Sequence, residues 1–422
     1  MDKFVIEGGR KLSGCVKASG AKNSVLPIMA AAIMADGKSV IHNVPRLQDV
    51  ITMARILEYL GAKLAFEGNT LEIDPSGINR FVAPYEFVRT MRASISLLGP
   101  LVARFRQARF SLPGGCVIGP RPIDLHIKGL QRLGTEVKIE QGYVNARVKD
   151  ALVGTYIFLG GSFGSSVLAT SNVMSAAALA KGETYIEFAA CEPEVADCAK
   201  FLTAMGARIE GIGSPSVRIR GVKKLHGAEY TIIPDRIETG TFLLAGATTR
   251  GKVRVEGCQP RHLGALLDKF EQAGVPVKTG KNHIEIKGVH TWKATDVITL
   301  PYPGFPTDLQ AQIMAFLSLA EGTSIITEKV FPERFIHSGE LNRLGANIII
   351  DGSRAVVKGV KKLVGARVMA SDLRASAALV IAGLAAEGTT QISRIYHLFR
   401  GYEGFEEKLQ SLGARISKEK DI

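Results

Sequence analysis

One cysteine, Cys116, lies in a run whose neighbours suit chemistry at a thiol: SLPGGCVIGPRPIDLH, from Ser111 to His126. Gly114, Gly115 and Gly119 allow positive φ and close approach of backbone to a ligand. Pro120 and Pro122 stiffen the path to two charged residues, Arg121 and Asp124, by fixing φ. Such a loop presents a nucleophile or a proton donor, with Arg121 favouring the thiolate. A small cysteine packed within an ordinary connection is the plainer alternative, because free cysteine is among the most buried residue types.

A second set of polar residues recurs at the start of runs of small apolar residues. It comprises Lys22 and Asn23, Arg92, Ser165 and Ser166, Asp235 and Arg236, Thr307 and Asp308, and Asp372 and Arg374. If these runs are helices, their N-termini offer free N–H groups and a positive dipole end that attract phosphate and carboxylate. Cations there oppose the dipole, a local cost that a bound anion would offset. A solvated cap is the alternative for any single start. Several starts carrying Lys or Arg favour a cationic anion-binding cleft.

These residues are positioned by a repeat. A helical segment ending in glycine, then a strand, a turn and a second strand, recurs with its glycine at Gly61, Gly134, Gly206, Gly274, Gly345 and Gly413. The intervals are 73, 72, 68, 71 and 68 residues, so six units of about 70 residues fill the chain. The first half of each unit is a polar turn, a helix of small residues and a strand, as in SGAKNSVLPIMAAAIMADGKSVIHNV. Helices apolar on nearly every face are buried all round, whereas the second helix, as in DVITMARILEYLG, is amphipathic and covers a surface. The spacing predicts sheets wrapped around buried helices, with three units to a domain.

Composition narrows the function classes. The chain has 422 residues, 46% hydrophobic and 22% charged, with nothing that reads as disordered. Its apolar runs, such as Ala375 to Ala386, fall short of the roughly 20 residues a membrane span needs. The N-terminus goes straight into a strand-like pattern, so a cytoplasmic protein is expected. Five cysteines without a C-x-x-C pair argue against a disulfide framework or structural zinc. The net charge of +13 suits anionic partners, but no Lys/Arg block interleaved with aromatics makes a nucleic-acid case.

The motifs then carry a resemblance. SGAKNSVLP around Lys22, APYEFVRTMRASI around Arg92, LPGGCVIGPRPIDLHI around Cys116 and EPE from Glu192 to Glu194 are joined by PDRIETGTF at Asp235 and FPTDLQAQ at Asp308. ERFIH at Arg334, ASDLRASA at Arg374 and RIYHLFRGYE at Arg400 complete the set. In this order, over essentially its full length, the chain resembles the UDP-N-acetylglucosamine 1-carboxyvinyltransferases of the enolpyruvyl transferase family. The resemblance implies an α/β fold, a two-domain inside-out α/β barrel, with residues 1–20 plus 234–422 in one domain and 21–233, carrying the Cys116 loop, in the other. It implies transfer of the enolpyruvyl group of phosphoenolpyruvate to the sugar 3-hydroxyl of UDP-N-acetylglucosamine with release of phosphate, the first committed step of peptidoglycan synthesis. No cofactor and no metal are expected. The implied partners are these two small molecules, with no nucleic acid, no membrane span and a monomeric state.

The addition and elimination through a tetrahedral intermediate need an acid for the vinyl methylene, a base for the sugar hydroxyl and cations for the anionic groups. By resemblance Cys116 is the acid, and the thiol that adds covalently to phosphoenolpyruvate and to fosfomycin, while Asp308 is the base with Thr307 on the same turn. Lys22, Arg121 and Arg400 match the cations that bind phosphoenolpyruvate, with Asn23 beside Lys22; Lys22 and Arg400 join Cys116 and Asp308 in the catalytic set. Arg92, Pro122, Ile123, Asp124, Leu125, Ser166, Val167 and Val330 fall where the nucleotide and sugar are held, and Arg334 and Arg374 belong to the same cationic cluster. His126 and His397 are expected as hydrogen-bonded supports.

Four positions at three places depart from the family pattern. Leu168 replaces a glycine after the GGSFGS run of residues 160–165, Cys191 precedes EPE where arginine is common, and Pro332-Glu333 precedes Arg334. The first lies where backbone contacts to the nucleotide phosphates are expected. A sister enzyme acting on shikimate 3-phosphate, a catalytically idle paralogue and a non-enzymatic nucleic-acid clamp are the rival readings.

Overall fold

The six glycines that close the repeated phrase all lie in the left-handed region, with φ of 110° at Gly61, 97° at Gly134, 103° at Gly206, 78° at Gly274, 91° at Gly345 and 91° at Gly413. Only glycine adopts this conformation without a steric penalty, so each glycine stops a helix and turns the chain into a strand. The computed structural model describes residues 2–89, 91–112 and 123–420. Among these, one unit comprises residues 20–112 and 123–233, and the other comprises 2–19 and 234–420.

In the unit of residues 20–233, buried and outer helices alternate along the chain: α1 (Lys22–Ala32), α2 (Gln48–Leu60), α3 (Leu98–Phe105), α4 (Asp124–Arg132), α5 (Val167–Ala177) and α6 (Pro193–Ala204). The other unit continues the alternation with α7 (Arg236–Thr248), α8 (Gly264–Ala273), α9 (Gln310–Leu317), α10 (Ser338–Arg343), α11 (Leu373–Ala385) and α12 (Phe405–Ser411). Every residue of α7 and of α9 is buried, as the absence of a polar face requires. By contrast α8 buries only Leu266, Phe270 and Ala273, one stripe at helical spacing. In one unit α1 and α3 each pack against α5, and in the other α7, α9 and α11 all touch one another. At Gly246 of α7, a side chain would collide with Val253 of the adjoining strand.

Among the described residues, six four-stranded sheets of one design lie around the helices. In one, Tyr156–Phe158 runs parallel to Glu183–Glu187, which pairs antiparallel with Ser216–Arg220, which pairs antiparallel with Arg208–Glu210. In the other unit the N-terminal strand Asp2–Glu7 takes the third place, antiparallel to both Thr389–Ser393 and Arg415–Lys420, with Arg367–Met369 at the parallel edge. Register places Phe4 opposite Ile392 and Ile6 opposite Ile416, and all four are buried. A one-residue slip would turn this apolar set outward. Fully burying each such side chain stabilises the fold by about 1.5–3 kcal/mol. The architecture is the expected helices-within, sheets-without arrangement; among the described residues the strands form separate sheets and do not join into one closed barrel.

Candidate active site

In the unit of residues 234–420, Asp308 is the focus. It lies in a single 3-10 turn, Thr307–Leu309, that leads into α9. Arg374, in the first turn of α11, donates from Nη2 to Asp308 Oδ2 at 2.7 Å, and Arg334 donates from Nη1 to Oδ1 at 2.9 Å and to Thr307 Oγ1 at 3.0 Å. Both arginines are buried, whereas 24% of the Asp308 side chain stays open although its carboxylate lies deep among protein atoms. Burial alone would raise the Asp308 carboxyl; the charges of Arg374 and Arg334 outweigh it and hold the group well below the usual carboxylate range. Asp308 is therefore ionised at neutral pH, a proton acceptor whose basicity the two guanidinium groups restrain.

The neighbouring helix starts are fixed by side-chain caps. Asp372 accepts from the N–H groups of Arg374 and Ala375 at 2.8 and 3.2 Å, and Asp235 accepts from those of Ile237 and Glu238 at 2.7 and 3.0 Å. Each cap is worth about 1 kcal/mol and orients the turn that carries the arginine. Deeper in, Gln312 of α9 donates to Thr241 Oγ1 of α7 and to the Tyr402 hydroxyl, both at 3.2 Å, which joins two buried helices by one polar network. The Arg374 guanidinium lies 5.5 Å from the Tyr402 ring centroid, within cation–π range. Arg400 closes the 3-10 segment Ile395–Arg400 and is half-buried; Val330 is half-buried beyond the strand Thr323–Glu328.

In the unit of residues 20–233, Lys22 and Asn23 open α1. Lys22 forms an ion pair with Asp49 of α2 at 2.8 Å, both largely buried. The next residue, Ser24, donates its hydroxyl to Asp197 Oδ2, and the same carboxylate accepts from the Tyr230 hydroxyl at 2.6 Å and the Ile233 N–H at 3.3 Å. Burial raises the Asp197 carboxyl above its ordinary value despite these bonds. Arg92 opens the 3-10 segment Arg92–Leu97, held by Asn172 of α5. Asn172 Oδ1 accepts from the Gly99 N–H at 2.5 Å, which fixes the amide so that Nδ2 donates to Ile95 O at 3.0 Å and to His126 Nδ1 at 2.9 Å. That bond makes Nδ1 of His126 an acceptor and places the ring proton on Nε2. Burial and the charge of Arg92 lower the His126 pKa to about 3, so His126 is a neutral support joining α4 to α5.

Ile123 is buried immediately before α4, Asp124 and Leu125 begin that helix, and Ser166 caps α5 by accepting from the Ala169 N–H at 3.4 Å, with Val167 next. Cys116, Arg121 and Pro122 lie outside the described residues. Thus Asp308, Thr307, Arg334 and Arg374 form one connected group, and Lys22, Asn23, Arg92, Asp124, Leu125, Ser166 and Val167 occupy starts of helical segments within the other unit. The cations expected to face a ligand anion also meet protein carboxylates: Asp49 at Lys22, and Asp308 at Arg334 and Arg374.

Sequence reasoning missed the residues that hold these positions in place: Asp49, Asn172 and Asp197 in one unit, and above all Glu328 in the other. The signal for Glu328 was parity: Ser324, Ile326 and Glu328 alternate on the buried face of one strand, so an acid falls on the core side. A cavity of about 440 Å³ among Arg104, Lys181, Lys224 and Leu225 contains none of the expected site residues. Among the described residues no cluster of three His, Cys, Asp or Glu side chains is arranged to hold a metal ion, and no helix is long and apolar enough to cross a membrane.

The sequence profile of the EPSP synthase (3-phosphoshikimate 1-carboxyvinyltransferase) family matches residues 6–409. A UDP-N-acetylglucosamine 1-carboxyvinyltransferase of Trichlorobacter lovleyi is 53% identical over 419 residues, 99% of each chain, and one of Shewanella amazonensis is 51% identical over 422 residues, 100% of each. The crystal structure of the enolpyruvyl transferase NikO from Streptomyces tendae superposes with a TM-score of 0.90 at 27% identity, covering 100% of this chain and 99% of that one. EPSP synthase of Acinetobacter baumannii superposes at 0.76 with 20% identity over 100% of both chains, which shows likeness of fold.

Proposed function

Because the chain belongs to the EPSP synthase family of enolpyruvyl transferases, we propose that it transfers the enolpyruvyl group of phosphoenolpyruvate to the 3-hydroxyl of UDP-N-acetylglucosamine and releases phosphate. The observation that carries this choice of acceptor is the 53% identity, over 99% of both chains, to a protein named for that nucleotide sugar. The sister reaction on shikimate 3-phosphate has only the family profile's name and a fold-level likeness at 20% identity behind it. The enzyme thereby serves peptidoglycan synthesis, acting in the cytoplasm as a monomer with a domain boundary near residues 20 and 234.

In the proposed course, Asp308 takes the proton of the sugar hydroxyl as its oxygen bonds to the phosphate-bearing carbon, and Cys116 delivers a proton to the methylene carbon, which becomes a methyl group. The tetrahedral adduct then loses phosphate from that carbon and a proton from the methyl, restoring the double bond. Lys22, Arg121 and Arg400, with Asn23, hold the anionic groups of phosphoenolpyruvate; arginine does so through a two-pronged fork and lysine as a point charge. Arg92, Pro122, Ile123, Asp124, Leu125, Ser166, Val167, Thr307 and Val330 bind the nucleotide sugar. The low basicity of Asp308 implies that Arg334 or Arg374 shifts hydrogen bonding toward substrate oxygen as the proton is taken. Incubation with both substrates followed by mass and NMR analysis of the nucleotide sugar tests the reading: an enol ether at the 3-oxygen supports it, and an unchanged sugar rejects it.

A further inference from the structure

The geometry points to Glu328 as a positioning residue that sets the direction of the Thr307 hydroxyl and, through it, the grip of Arg334 on Asp308. Glu328 ends its strand with no exposed surface. Its Oε1 accepts from Thr299 Oγ1 at 2.5 Å and from the N–H groups of Val330 and Phe331 at 2.8 and 2.9 Å, while Oε2 accepts from Thr307 Oγ1 at 2.9 Å. A guanidinium only donates, so Thr307 accepts from Arg334 and its single hydroxyl proton goes to Glu328. The lone pairs of that oxygen are then left for Arg334 Nη1 at 3.0 Å, and the same nitrogen reaches Asp308 at 2.9 Å. Glu328 also fixes the backbone of Phe331, whose ring centroid lies 5.8 Å from the Arg334 guanidinium. One buried carboxylate thus locks both supports of the arginine that faces Asp308, an order that a donor in its place would reverse.

The catalytic consequence rests on Asp308 serving the transfer reaction proposed above; the positioning itself can be read without turnover. Glu328→Gln is nearly isosteric and keeps an oxygen for Thr299, Val330 and Phe331, but presents an N–H₂ to Thr307. The experiment follows the Asp308 carboxyl titration by carbon-13 NMR, together with kcat and KM, in the wild type, Glu328→Gln, Thr307→Val and the double variant. Both single substitutions are expected to raise the Asp308 titration toward ordinary carboxylate values as Arg334 loosens. Each is expected to lower kcat about ten- to a hundredfold, as losing a group that orients a functional side chain does, with a smaller change in KM for Glu328→Gln. In the Thr307→Val background Glu328→Gln should add less than about twofold, because both act through one hydroxyl. An unchanged Asp308 titration in Glu328→Gln, or fully additive losses, would overturn the role. If Glu328→Gln fails to fold, Thr307→Val against Thr307→Ser decides: only the former should move Asp308, and equal titrations would overturn the role. A wild type with no transferase activity rejects the functional reading, while the titration still decides the positioning.

Discussion

Arg374 donates to Asp308 across the first turns of two buried helical segments, at 2.7 Å, with only 3% of its side-chain surface exposed. A guanidinium so enclosed requires a carboxylate or an anionic ligand, because an unpaired buried charge is far costlier than a paired one.

Removing the carboxylate should therefore affect both stability and turnover. Asp308→Ala leaves Arg374 and Arg334 without their common partner, and the expected loss is about 3 kcal/mol, the lower end of the range for breaking a buried pair because Asp308 is partly open. Turnover should fall by at least about a hundredfold, the scale of a lost general base. Inorganic phosphate should raise the melting temperature of Asp308→Ala more than that of the wild type, by occupying the vacated arginines. Equal shifts in a thermal-denaturation series would show that these arginines do not bind the anion.

Glu238 gives a pH signature of the opposite sign to Asp308. Its carboxylate is buried, accepts from Lys408 Nζ at 2.6 Å and from the Ser19 N–H at 2.7 Å, and burial outweighs the nearby charge to raise its pKa from 4.5 to about 7. The folded state then holds this proton more tightly than the unfolded state, so its contribution to stability falls as pH rises from about 4.5 to about 7 and is level above that. Glu238→Gln cannot titrate. Urea denaturation across this interval should show a difference curve between wild type and variant that bends near pH 7; parallel curves would contradict the assignment.

His126 should remain neutral through the physiological range. With a pKa of about 3 and Nδ1 accepting from Asn172, its ring should show one tautomer, protonated at Nε2, from pH 5 to 8. Asn172→Ala removes the acceptor of Gly99 and the donor to Ile95, and should cost at least about 2 kcal/mol by leaving buried backbone groups unsatisfied. Nitrogen-15 imidazole NMR and urea midpoints at constant slope check the two statements; a His126 titration near its ordinary value would refute the first.

The repeat made the backbone of the site readable in the sequence. Lys22, Arg92, Ser166, Arg236, Asp308 and Arg374 could each be placed at the start of a small-residue segment, because burial on all faces and the closing glycine mark those segments without tertiary information. The partners could not be read this way. Asp49 meets Lys22 from another helix, His126 reaches Asn172 across 46 positions, and Glu328 reaches Thr307 across 21, contacts that exist only after sheets and helices pack. Their residue types are also ambiguous, since a lone acid or amide is more often solvated than buried. Only the alternation along Thr323–Glu328 betrayed one of them.

The most direct test of the central claim is phosphate release from phosphoenolpyruvate, measured with UDP-N-acetylglucosamine, with shikimate 3-phosphate and with no acceptor. Release is expected with the nucleotide sugar alone, and Asp308→Ala should abolish it. Release with shikimate 3-phosphate alone, or with neither acceptor, would contradict that claim.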